Sequence, residues 1–135
     1  MNKNTDEMLV IDPTDKTPKI VFDTAANIFE ISGCSLPDNA VTFYTPVLKW
    51  LSNKENTKAS KLELTLRMDY FNTATSKMIL EILKQIDVLK NKGWKVSIKW
   101  TYDDDDEDIM EAGKIYAGLF DFPFILFPVA PGSNN

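Results

Sequence analysis

The sequence contains no histidine, one cysteine and one arginine among 135 residues. Each scarcity removes a class of chemistry. Without an imidazole there is no Ser-His-Asp or Cys-His nucleophile and no His-ligated zinc site. Cys34 alone can close no intrachain disulfide, and with no base to activate it the thiol reads as a small, partly buried filler. Arg67 is the sole arginine, the other cations are lysines, and the net charge is −5. With no basic stripe along the chain, this balance argues against nucleic acid and against an anionic membrane surface as partners. No apolar run approaches the roughly 18 residues that span a bilayer. The opening MNKNTDEMLVID is too acidic for a secretory leader, so a cytoplasmic protein without membrane insertion is expected. A Gly-rich phosphate loop is missing as well, which leaves little support for an enzyme or for a cofactor.

What is present is enough apolar sequence for one core, with helix and strand periods alternating. Residues 1–18 are polar, carry Pro13 and Pro18, and read as a weakly ordered arm in which only Leu9, Val10 and Ile11 could dock. Residues 19–128 read as the domain and 129–135 as a tail, disordered from Pro131. Ile20 and Phe22, then Ile28, Phe29 and Ile31, predict a hairpin that Gly33 ends. Asp38 or Asn39 is placed to cap a helix through Leu51, and Pro46 inside it predicts a kink or restart at Thr45–Pro46.

Leu62, Leu64 and Leu66 alternate with polar residues as a half-buried strand does. Met78, Ile79, Ile82, Leu83, Ile86 and Leu89 then recur at helical spacing, so the helix runs from about Thr73 to Asn91, with Gly93 as its stop. Val96, Ile98 and Trp100 mark another strand. The acidic run Asp103–Asp108 precedes a helix through about Leu119, and Phe122–Phe127 reads as a last strand. The order β-β-α-β-α-β-α-β predicts a single α/β domain: a mixed sheet with an N-terminal hairpin and about three helices.

The informative segment is Asn72–Ser76, where a strand passes into a helix through hydroxyl residues. A hydroxyl there faces unpaired backbone N–H groups and the positive end of the helix dipole. Phosphate is tolerated in that position, and it shifts the surface charge by roughly −1.5 to −2. Read from residue types alone, Thr73 is first of all an ordinary helix cap.

Five segments extend the reading: TPKIVFD (17–23), FEISGCSLPDNAVTFYTPVLKWL (29–51), DYFNTATSK (69–77), VSIKWTYDDDDED (96–108) and FPF (122–124). In this order, over Thr17 to Phe127, the chain resembles the SiaC-type bacterial regulatory phosphoproteins, whose fold is similar to the STAS domain. The resemblance implies phosphorylation at the threonine after the asparagine of YFNT, here Thr73. That family usually continues with two serines where this chain has Ala74 and Thr75, which brings Thr75 and Ser76 in as fallback acceptors. Leu36 and Asp38 depart mildly from the family's usual residues. The implied partners are a Ser/Thr kinase, a PP2C-type phosphatase and a diguanylate cyclase that the unphosphorylated protein binds and activates, with cyclic-di-GMP and biofilm control as output. Asp69, Asn72, Thr73 and Lys77 would form the face that partners read. The alternative is a STAS-like anti-sigma-factor antagonist captured by a kinase.

Plainer readings stand beside these. The acidic run lacks the spacing and glycine of a calcium loop and is explained as a solvated face that complements a helix N-terminus. Trp50, Trp94 and Trp100 read as core residues. Asp69 and Arg67 read as a surface charge pair worth under about 1 kcal/mol.

Overall fold

The computed structural model describes residues 2–131. Its seven strands form one sheet in chain order: β1 (Lys3–Asn4), β2 (Met8–Ile11), β3 (Lys19–Asp23), β4 (Ile28–Ser35), β5 (Lys61–Phe71), β6 (Lys95–Asp103) and β7 (Phe124–Val129). Pairing is antiparallel from β1 to β4 and parallel from β4 to β7. The three parallel steps are crossed by α1 (Ala40–Asn53), α2 (Thr73–Asn91) and α3 (Glu107–Ala117). Strands advancing in one direction through crossovers of one hand put every helix on the same side.

Register bears this out. Ile31 lies beside Leu66 and Leu66 beside Trp100, so one face carries Phe29, Ile31, Leu62, Leu64, Leu66, Val96, Ile98 and Trp100, all buried. Each such side chain contributes about 1.5–3 kcal/mol by leaving water. Phe22 and Phe29 of the hairpin meet Trp50 of α1 at ring distances of 5.3 and 6.0 Å. Trp100 meets Tyr116 of α3 at 5.6 Å and donates its indole N–H to the Ile109 carbonyl at 2.9 Å. A Cβ at Gly113 would sit 2.5 Å from Trp100, so only glycine lets α3 lie this close. All three tryptophans are buried. The opposite face presents Lys19, Glu30, Glu63, Arg67 and Lys99 and carries no helix among the described residues.

The mixed α/β sheet, its hairpin and its three helices agree with the sequence reading; several details differ. Residues 2–18 of the expected arm are not loose: β2 pairs with β3 residue for residue, Leu9 is buried in the core, and Lys54 donates to the Asp6 carbonyl. Gly33 does end the hairpin pairing, whose last pair is Lys19 with Ser32, but it does not end the strand. With φ at 120° it forms a bulge, and β4 continues to Ser35. Pro46 does not restart α1, which runs unbroken over its 14 residues while Thr45 donates to the Val41 carbonyl at 2.6 Å. β5 runs on to Phe71, well past its alternating leucines. The last strand begins at Phe124, and the tail expected over 129–135 lies outside the described residues from 132 on.

Candidate functional site

Because β4, β5 and β6 are parallel, their carboxyl ends and the starts of α1, α2 and α3 share one edge of the sheet, where open α/β sheets place their functional groups. At the middle of that edge β5 passes directly into α2. Asn72 is the N-cap: its side chain accepts the Thr75 N–H at 2.8 Å and its carbonyl the Ser76 N–H at 3.0 Å. Thr73 is therefore the first helical residue and not the cap. It is exposed, and its carbonyl accepts the Ser76 hydroxyl at 2.6 Å.

The start of α2 is fastened from below by hydroxyls. Thr75 has no exposed surface, and its hydroxyl donates to the Ser35 carbonyl at 3.2 Å. Its remaining lone pairs can then accept from Ser35 Oγ at 2.8 Å, which in turn can accept from Tyr44 at 2.7 Å. That direction gives every proton in the chain one acceptor. The Asn72 N–H also bonds the Ser35 carbonyl at 3.2 Å, so β4, α1 and α2 are tied at one point. Burial pushes the Tyr44 phenol up to about 12, against a partial pull downward from Ser35 and Thr75, and keeps it a neutral donor. Tyr116 of α3 reaches the same turn, donating to the Ser76 carbonyl at 2.8 Å, and its burial likewise raises it to about 12.

The expected site residues therefore separate. Thr73, Asp69 and Lys77 are exposed, with Lys77 one turn beyond Thr73. Asn72 is half-buried and committed to capping. Thr75 fails as a fallback acceptor, since its hydroxyl is sealed and bonded inside the core. Ser76 is half-buried with its hydroxyl engaged. Arg67 pairs with Asp103 on the neighbouring strand at 2.7 Å, not with Asp69. Asp106 caps α3, and Asp104, Asp105, Glu107 and Asp108 are exposed. No group of three or more His, Cys, Asp or Glu placed to hold a metal occurs among the described residues. No helix among them is long and apolar enough to cross a membrane. Sequence reasoning missed Ser35 and Tyr44. The signal available was a serine in line with an apolar strand and a tyrosine on an apolar helix face.

Residues 11–129 match the SiaC family of regulatory phosphoproteins. A Pseudomonas aeruginosa protein of strain UCBPP-PA14, described as uncharacterized, is 30% identical over 118 residues, covering 87% of this chain and 94% of its own. SiaC of Pseudomonas aeruginosa superposes with a TM-score of 0.83 at 28% identity, over 91% of this chain and 99% of that one. A chain in the crystal structure of the Pseudomonas aeruginosa diguanylate cyclase SiaD with its activator SiaC gives a TM-score of 0.84 at 30% identity, over 90% and 99%.

Proposed function

This chain belongs to the SiaC family of regulatory phosphoproteins, and we propose that its unphosphorylated form binds and activates a diguanylate cyclase. Phosphorylation of Thr73 releases the cyclase, lowering cyclic-di-GMP output and with it biofilm formation. The observation that carries the reading is the pair of threonines two positions apart: Thr73 exposed at the first helical position, Thr75 sealed beneath it. A kinase can reach one hydroxyl and not the other, and the buried network holds the reachable one in place. A partner surface that excludes water around Thr73 cannot bury a near-dianion without new cations, and on its own helix Lys77 is the nearest candidate. Asp69 and Asn72 flank Thr73 on that surface.

The writer of the mark is a Ser/Thr kinase and its eraser a PP2C-type phosphatase. The protein itself is non-catalytic and cytoplasmic, and 19–128 with the added β2 act as one regulatory domain. Supporting the non-catalytic reading is a site edge that, among the described residues, offers capping amides and hydroxyls without a histidine to act as base.

The test incubates wild type, Thr73→Ala and Thr73→Ser with the cognate kinase and ATP, reads intact mass, then titrates each form into the cyclase. Thr73→Ala should take up no phosphate and still activate; Thr73→Ser should recover phosphorylation. Since Asn72 supplies the cap, the alanine variant loses little stability. Thr73→Glu should imitate the mark only in part, with one charge where phosphate has nearly two. Full cyclase activation by quantitatively Thr73-phosphorylated protein would end this reading.

A further inference from the structure

The amino end of β5 lies beside a cavity of about 260 Å³ bounded by the segment after α1, the β3–β4 turn and Trp94. Its wall holds Lys54, Lys58 and Lys61 with the hydroxyl residues Thr57 and Ser60, and no carboxylate among the described residues lines it. In a chain of net charge −5 this is a local inversion of sign.

Lys54 makes the inversion more than a surface accident. It is the only charged side chain that is buried among the described residues, 8% exposed. Its ammonium donates to the Asp6 carbonyl and lies over the Trp50 ring at 4.4 Å, and among the described residues no carboxylate pairs with it. A buried ammonium has three donors, and one carbonyl and one ring face compensate its charge only in part. Lys58 and Lys61 are exposed on the same rim and stand outside the ion pairs found among the described residues.

We propose that this cavity binds a small phosphate-bearing anion. Three lysines line one cavity, two of them with ammoniums outside any ion pair among the described residues, so two or more negative charges could be matched there, and hydroxyls can donate to the oxygens that the lysines leave free. The volume admits an orthophosphate or pyrophosphate group with its water. The site is separate from the Thr73 edge: the eleven residues of β5 put roughly 35 Å between them at about 3.3 Å per residue.

The test is a two-dimensional amide NMR titration of the full chain at low ionic strength, with inorganic pyrophosphate in one arm and glycerol phosphate in the other. Saturable shifts confined to residues 54–61, the β3–β4 turn from Thr24 to Phe29, and Trp94 are expected. A response to pyrophosphate alone assigns a free anion, and a response to both assigns any phosphate group. The Lys58→Ala/Lys61→Ala double variant, altered only at exposed positions, should bind at least about tenfold more weakly. Lys54→Gln should weaken binding as well, with Trp50 fluorescence reporting the site. The proposal is overturned if sodium chloride of equal ionic strength gives the same shifts, if the double variant binds as wild type, if nothing saturates in the millimolar range, or if the shifts centre on Thr73 and Lys77.

Discussion

Helices α2 and α3 begin at the same edge of the sheet, and each is capped by a side chain accepting the N–H three residues on: Asn72 from Thr75 at 2.8 Å, Asp106 from Ile109 at 3.1 Å. They differ in the residues of the first turn. That of α3 holds Glu107 and Asp108, and that of α2 holds no acidic residue. The positive end of α3 is thus already answered by carboxylates, and a further anion there would meet Asp104 and Asp105 as like charges. The positive end of α2 is left open, with an exposed hydroxyl standing where an anion is welcome. The same local chemistry serves stability in one helix, and in the other it is left free for the switch proposed at Thr73.

The undersides differ too. α3 rests on the Trp100 indole, whereas the first turn of α2 hangs from two neutral phenols, Tyr44 through Ser35 and Thr75, and Tyr116 directly. Alkaline pH should separate the two helices by the largest margin. Both phenols lie near 12 in the folded chain against an ordinary 10.0, because burial disfavours phenolate. The unfolded chain releases these protons around pH 10 and the folded chain about two units later, so between these values the unfolded state binds fewer protons and stability falls as pH rises. Below pH 10 the contribution is fully present. For Tyr44 the loss amounts to about 2–3 kcal/mol. Urea unfolding of wild type and Tyr44→Phe at rising pH checks it: the wild type should fall more steeply above pH 10, and parallel curves would show that the phenol does not hold α2.

Much of this architecture is legible from periodicity, and the parts that are not share a cause. Leu62, Leu64 and Leu66 announce β5, and the run from Met78 to Leu89 announces α2 with the bounds it has. Those signals are local, since one face of one element is buried. The N-terminal strand escapes a sequence reading because MLVI is too short to show a period and gains its order from β3, a partner distant in sequence. Ser35, Tyr44 and Thr75 escape it as a group for a similar reason. A serine and a threonine forty positions apart look like loop chemistry until the fold seals them together. Thr73 can be nominated from its neighbours, but its difference from Thr75 is a matter of which side of α2 faces the sheet. Helical phase fixes that side, and it becomes visible only once Asn72, not Thr73, is known to be the cap.

A second contrast concerns the caps themselves. Asn72→Ala and Asp106→Ala each delete one side-chain acceptor, a loss of about 0.5–2 kcal/mol. The two losses should be unequal. Removing Asp106 also relieves repulsion within Asp103–Asp108, so its variant should be the less destabilised at low salt. Added salt screens that repulsion and should bring the two together. Thermal unfolding of both variants at low and high ionic strength measures the gap, and a gap that ignores salt would mean the acidic run exerts no net repulsion on α3.

The smallest effect is the most direct measure of the vacancy at α2. Ala74 is exposed at the second helical position, the place that Asp108 occupies in α3. Ala74→Glu puts a carboxylate there without disturbing the Asn72 cap or the buried Thr75. Its gain should be about 0.3–1 kcal/mol at low salt, fading as salt screens the dipole. Asp108→Ala in α3 should cost less than this gain, because the lost dipole interaction is offset by relief from neighbouring carboxylates. The same Ala74→Glu variant tests the functional side of the comparison, since its single charge lies next to Thr73. Cyclase activation should weaken while Thr73 remains unmodified, and by less than full phosphorylation achieves. If Ala74→Glu neither stabilises the fold nor touches activation, the open helix end at Thr73 is incidental, and the difference between the two helix starts carries no regulatory meaning.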